Sequence, residues 1–331
     1  MHLGTVSGML LLFTVLNGAH GGEQESSLKL QVELLTSKTV LASPICLRLT
    51  LRNTGEQVAY TYFKDSDSMC DASLLSLLAT DENGNECRLK PLAAFSGPSI
   101  RSPGAPLKPG AEVAMDVALC LALESSMNST VREIMYLPPG TYDLRVEIMC
   151  PAVVQSDPIE IQITPPGGQD RRALDMMPEL PLYAQGGLVD PGDWSGQVPR
   201  QGKFAEHAAI LRRVRVECPE SVLVHWLNFW TAFKQWHPEG LDDPAESAEQ
   251  ASEFLRMHGD FPLADHLRLR AAKRYVKSGR PEQAADQLAA IGVGGEVPAP
   301  LRYEVERVRK LAALRPTSRP ANERDPVVGQ Q

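Results

Sequence analysis

Cys218 stands directly before Pro219, and His225 and His237 follow shortly after it. A thiol at a helix N-terminus with an imidazole in reach is the arrangement that makes a nucleophile. A helix cap carrying a lone thiol is the simpler expectation. His258, Asp260, Asp265 and His266 supply nitrogen and oxygen donors of the kind metals use, but their spacing spans a turn at Gly259 and matches no standard site. They are expected to be surface polar groups. Arg268, Arg270, Lys273, Arg274, Lys277 and Arg280 crowd one helix and its turn. Such a face suits an acidic partner, even the acidic front half of the same chain, or is simply solvated. No G-x-S-x-G, H-E-x-x-H, Walker loop or G-x-G-x-x-G occurs, so no catalytic, cofactor-binding or metal residue is assigned.

The elements that must position these groups differ between the two halves. Leu28, Leu30, Val32 and Leu34 alternate with Lys29, Gln31 and Glu33, and Ile45, Leu47, Leu49 and Leu51 alternate with Cys46, Arg48 and Thr50. Period two marks strands with one wet face. Further alternations begin at Val58, at 74–80 and 86–90 around Asn83-Gly84, at Val113, at Tyr142 and at Ile159, each introduced by turn residues. About eight short strands with almost no helical period predict an antiparallel sandwich. The sequence of turns is Asn53-Thr54-Gly55, Asp81-Glu82-Asn83-Gly84, Leu107-Lys108-Pro109-Gly110 and Leu137-Pro138-Pro139-Gly140-Thr141-Tyr142. Over roughly 28–164 it resembles the immunoglobulin-like sandwich domains of bacterial exported proteins, and in rhythm it is most similar to the BsuPI-type proteinase-inhibitor domain. That resemblance implies a fold; no inhibitory loop carries over with it.

The chain has six cysteines, an even count that fits an oxidising compartment. Six permit 15 pairings. In an immunoglobulin-like sheet the second and fifth strands are neighbours, and Cys46 and Cys120 both take the outward phase of theirs. They are the first candidates for a surface cross-strand disulfide. Free thiols packed as small hydrophobes are the alternative.

Residues 165–200 are dense in Pro and Gly yet hold Met176, Met177, Leu180, Leu182, Tyr183 and Trp194. The expectation is an extended strap lying against one or both domains. Beyond it the period changes. Pro219 opens a helix in which Val222, Leu223, Trp226, Phe229, Trp230 and Phe233 repeat at three and four; 245–257, 262–277, 281–290 and 299–314 follow with short connections. These predict antiparallel helical hairpins. Ala272, Tyr275, Gly279, Ala284 and Leu288 resemble the middle of a tetratricopeptide repeat, although the neighbouring echo at Leu255, Gly259 and Ala264 departs from that family's period. Trp226 and Trp230 are expected in the core. Part of Phe229 and Trp236 is expected at the domain edge, where with Arg270, Arg274 and Lys277 it could meet a partner.

The run Gly8–Leu16 is long enough for a signal-peptide core and too short for a membrane span, and Ala19-His20-Gly21 offers a cleavage site. Net charge is −8, divided as −10 over 1–199 and +2 over 200–331, which argues against a nucleic-acid binder. The predicted organisation is multidomain: a signal peptide over 1–21, an all-β immunoglobulin-like sandwich over 22–164, the strap over 165–200, an all-α helical-hairpin domain over 201–314 and a disordered tail over 315–331. The expected function is an exported, non-enzymatic protein that binds another protein or peptide, with no cofactor. The rivals are a secreted proteinase inhibitor and an enzyme with its site between the domains.

Overall fold

The computed structural model describes residues 27–36, 39–61, 75–91, 105–123, 135–150, 152–178, 180, 201–234, 243–292 and 296–314. The front half is β. Its strands are β1 (Leu28–Leu34), β2 (Thr39–Val40), β3 (Ile45–Asn53), β4 (Ala59–Thr61), β5 (Leu75–Asp81) and β6 (Glu86–Pro91). They continue with β7 (Ala105–Leu107), β8 (Glu112–Leu119), β9 (Leu121–Leu123), β10 (Gly140–Cys150), β11 (Ala152–Gln155) and β12 (Ile159–Thr164). One sheet runs β1-β3-β8; a larger one runs β2-β12-β10-β5-β6-β9, with β11 on β10, and β4 pairs with β7. Alternation decides the core. Ile45, Leu47, Leu49 and Leu51 on β3 are fully buried and share one apolar cluster with Leu77 on β5 and Leu144 and Val146 on β10.

Turn chemistry closes the hairpins. Asp81 accepts from the backbone N–H of Asn83 and Asn85, and Gly84 adopts φ +79°, a conformation that favours glycine. Asn83 does not share that positive φ. Asn53 is buried, and its Nδ2 donates to the carbonyls of Gln57 and Leu107.

The rear half is α. Its helices are α1 (Gly168–Met176), α2 (Gln201–Glu217), α3 (Val222–Lys234), α4 (Pro244–Met257), α5 (Ala264–Lys277), α6 (Pro281–Ala289) and α7 (Arg302–Leu314), with a 3-10 turn at Ala299–Leu301. The α5–α6 junction shows why the chain turns there. Gly279 has φ +77°, its N–H donates to Val276 O, and Arg280 N–H donates to Tyr275 O, the paired bonds that finish a helix at a glycine. Phe229 is the centre of the rear core, with ring centroids 4.9 Å from Phe261, 5.3 Å from Trp230 and 5.7 Å from Trp226.

Three expectations need correction. The connector is not extended throughout. Residues 168–176 form α1, and Ala173, Met177 and Leu180 are buried in the rear core. Pro219 does not open α3 with Cys218 as its cap. Instead α2 runs to Glu217, and Asp170 on α1 caps α3 by accepting from Val222 N–H and Ser221 Oγ, each at 2.8 Å. Finally, Cys46 and Cys120 form no disulfide. Cys46, Cys87, Cys120 and Cys218 are free thiols. In the register Cys46 lies opposite Ala118, while Cys120, past the end of β8, donates to Ala42 O at 3.3 Å. Both are fully buried, and Cys46 joins the rear core, which covers its end of the outward face of β3. Cys70 and the segments 1–26 and 315–331 lie outside the described residues.

Candidate functional site

The outward face of β3 carries Arg48, whose register partners are Asp116 on β8 and Glu33 on β1. Cross-strand registry thus sets a cation between two carboxylates. Arg48 Nε donates to Asp116 Oδ1 at 2.8 Å and its Nη2 donates to Oδ2 at 3.0 Å, a two-pronged grip; Glu33 stands 3.7 Å away. From the other side, His266 on α5 reaches Asp116 Oδ2 at 2.9 Å. The Asp116 side chain is 3% exposed and that of His266 11%. Burial pushes the Asp116 carboxyl upward, but the hydrogen bonds from His266 and Arg48 outweigh it and hold the group below the usual carboxylate range. An ionised carboxylate can only accept, so His266 Nε2 carries the proton of that bond. No hydroxyl or thiol of the described residues hydrogen-bonds to the imidazole. The cluster fastens sheet to helix.

Beside this cluster a groove of 370 Å³ runs along β1. Glu33 and Arg48 line it, as do Thr50 and, across the opening, Asp157 and Ile159. A second, more apolar groove of 510 Å³ lies between α6 and α7, lined by Ala285, Leu288, Ala289 and Ala312.

The residues singled out in the sequence mostly serve packing. Phe229 is fully buried, so its expected place at the domain edge is corrected; Trp226 and Trp230 are core. Trp236 lies outside the described residues. Arg274 is 4% exposed and faces inward, which corrects its assignment to a partner surface. Its Nη1 donates to Ala232 O at 2.8 Å and Ser247 O at 3.1 Å, and its Nη2 to Phe233 O at 2.9 Å, so it caps the end of α3. Arg270 lies over the Phe233 ring at 4.7 Å. Lys273 pairs with Glu304 at 2.6 Å, Arg280 with Glu249 at 2.6 Å and Arg268 with Asp265 at 2.6 Å. Lys277 is exposed. The basic helix is thus largely consumed within the rear half.

The His and Asp cluster disperses in the same way. His258 packs on His225 at 4.4 Å and on Phe254 at 4.8 Å, while His266 turns to Asp116. Burial, then the neighbouring His225, pushes the His258 imidazole downward. Among the described residues no group of three potential ligands converges on one point. The Cys218 thiol is pushed up by burial, the reverse of an activated nucleophile. Sequence reasoning missed Arg48, Asp116 and His266 as a unit. The available signal was the outward phase of Arg48 and Asp116 on strands of a sheet with a covered face.

The class defined here is a β front half joined to an α rear half through a buried charged cluster. No family model and no curated protein matches the sequence. Among solved structures the chain is similar to Northeast Structural Genomics Consortium target SoR45, with 12% identity, 42% of this chain and 88% of that chain covered, and a TM-score of 0.23. It is also similar to a mutant β-glucosidase from Listeria innocua in complex with laminaribiose, at 14% identity over 43% of this chain and 16% of that chain, TM-score 0.21. A third is a Salmonella alpha-2-macroglobulin mutant, at 10% identity over 89% of this chain and 23% of that chain, TM-score 0.24. The chain thus spans less than a quarter of the latter two proteins. Scores this low carry no argument about fold or activity. No helix of the described residues is long and apolar enough to cross a membrane.

Proposed function

We propose that the protein is an exported, non-enzymatic binding or scaffolding protein, built from an immunoglobulin-like sandwich followed by helical hairpins and recognising another protein or peptide. The observation that carries this reading is the use made of the reactive side chains. His266, Asp116 and Arg48 are spent on one another at the sheet–helix interface, and Arg274 is spent on carbonyl groups. A buried polar network of this kind holds two units in one relative orientation, which suits a rigid platform. Export rests on the apolar run Gly8–Leu16 and the small residues Ala19 and Gly21.

The test is capture of partners from the exported fraction of the native host, followed by reconstitution with each purified candidate. A reproducible complex of micromolar or tighter affinity is expected, about −8 kcal/mol or better. Protein purified from the cell interior with residues 2–20 intact would remove export. Turnover in a hydrolase, protease-inhibition or redox panel would replace the binding reading.

A further inference from the structure

We propose that the flank of the α2–α3 pair formed by Arg215 and Arg212 receives a carboxylate side chain of the partner protein or peptide. This deepens the binding reading and rests on it. Arg215 on α2 is half-buried, and its Nη2 donates to Thr231 Oγ1 on α3 at 2.8 Å. That hydroxyl donates in turn to Leu227 O, within its own helix. The Nε of Arg215 is buried and has no hydrogen-bond partner among the described residues. No carboxylate of those residues pairs with the guanidinium, and burial, offset by no neighbouring charge, pushes its pKa down. Other covered cations are neutralised or capped: Arg48 is gripped by Asp116, Lys273 pairs with Glu304, and Arg274 holds carbonyl groups. A desolvated cation without a counter-charge is costly, and the cost is recovered when an anion arrives.

The charges around this flank set the chemistry of the occupant. α2 turns Leu211, Val214 and Cys218 into the rear core; helical spacing puts Arg215 at one border of that face, with Arg212 beyond it. Glu217 lies at the opposite border, where Arg213 and Arg172 both hold it. Position 206, two turns before Arg213, shares the Arg213 side of the helix. On α1, Asp170 caps α3 and Asp175 pairs with Arg171. α3 contains neither Asp nor Glu, and Glu220 precedes it, at the far end from Thr231. Arg212 is exposed and has no ion pair among the described residues. Two positive charges therefore stand on this flank with no described carboxylate beside them. A carboxylate fits, since its two oxygens match the planar fork of a guanidinium, and the bond to Thr231 already holds Arg215 in place. Val216, 79% exposed, stands one turn from Arg212 on the same side and offers apolar contact next to the charge. The occupant is thus an acidic residue with an apolar neighbour.

The probe is a capped, fluorescein-labelled peptide alternating glutamate and valine, titrated by anisotropy into the full chain at low salt. A glutamine–valine peptide is the uncharged control. The glutamate peptide should bind, and the control should be weaker by about tenfold or more. Arg215→Met should cost the glutamate peptide a similar factor and at the same time raise the urea midpoint of the free protein, because it removes a covered cation that the chain does not neutralise. Arg212→Gln should weaken the peptide without moving that midpoint. Lys108→Gln, which removes an exposed charge from the front half, should change neither. If Arg215→Met does not fold, Arg215→Lys makes the same test: it keeps the charge, loses the fork and should bind more weakly. A lower urea midpoint for Arg215→Met would mean that the chain itself neutralises the arginine, and it overturns the proposal. So does a peptide affinity that the substitutions at 212 and 215 leave unchanged. Inorganic phosphate that competes as well as the peptide itself would reassign the flank to a phosphate ligand and overturn the carboxylate. A captured partner that binds wild type and Arg215→Met equally removes this surface alone and leaves the binding function in place.

Discussion

His266 on α5 donates a 2.9 Å hydrogen bond to Asp116 on β8, across 150 residues of chain. The carboxylate that receives it is already gripped by Arg48, so one side chain closes the strand pair and the sheet–helix interface together. Removing it strands two cationic or polar partners at a covered surface.

Asp116→Ala should therefore destabilise the protein by about 3–5 kcal/mol, the cost of leaving buried charge uncompensated. His266→Ala should cost less, because Arg48 still satisfies the carboxylate. Urea unfolding of both single variants and the double variant gives the coupling energy. Strictly additive effects would mean that the contact fastens nothing.

The same pair sets an acid limit. Asp116 has a folded pKa below that of the unfolded chain, so it stabilises the fold above the unfolded value, near 3.9, and loses that contribution as pH falls through the lower folded value. Thermal unfolding of wild type should thus fall more steeply than that of Asp116→Asn as pH drops below about 4. Parallel profiles would refute the assignment.

Arg274 is predicted to be structural. Arg274→Ala removes the buried donor from the carbonyls of Ala232 and Phe233 in the last turn of α3, while that of Ser247, early in α4, keeps its place in the helical ladder. A loss of about 3 kcal/mol is expected, from roughly 1–3 for each stranded group with partial relaxation. Arg274→Lys should recover only part, since an ammonium cannot reproduce the planar fork. Lys277→Ala, on the exposed side of the same helix, should change stability by no more than about 0.5 kcal/mol. Equal effects at 274 and 277 would show that the guanidinium caps nothing.

Thiol reactivity distinguishes the free, buried cysteines from a cross-link. Burial pushes the thiols of Cys46 and Cys120 up, and both are fully covered. Native protein should label at these positions only at the rate of unfolding, and denatured, non-reduced protein should label both promptly. A Cys46–Cys120 disulfide-linked fragment in a non-reducing digest would contradict the structure.

Period-two alternation on β3 was legible at sight, because the pleat sends successive side chains to opposite faces whatever surrounds the strand. Helix α5 and its stop at Gly279 were legible for a similar local reason, since a glycine at positive φ ends a helix through bonds within a few residues. Helix α1 was hidden among the flanking Pro and Gly residues, and it becomes visible through Ala173 packing into the rear core and Asp170 capping α3. Arg274 and Lys277 are alike in sequence, and only the position of the α3 carbonyls separates a buried cap from an exposed charge. Cys46 looked solvent-facing for the same reason that Arg48 did. Strand phase says which face a residue takes, whereas the packing of the rear half on that face decides that its Cys46 end is dry, that Asp116 meets His266 there, and that the thiol stays unpaired.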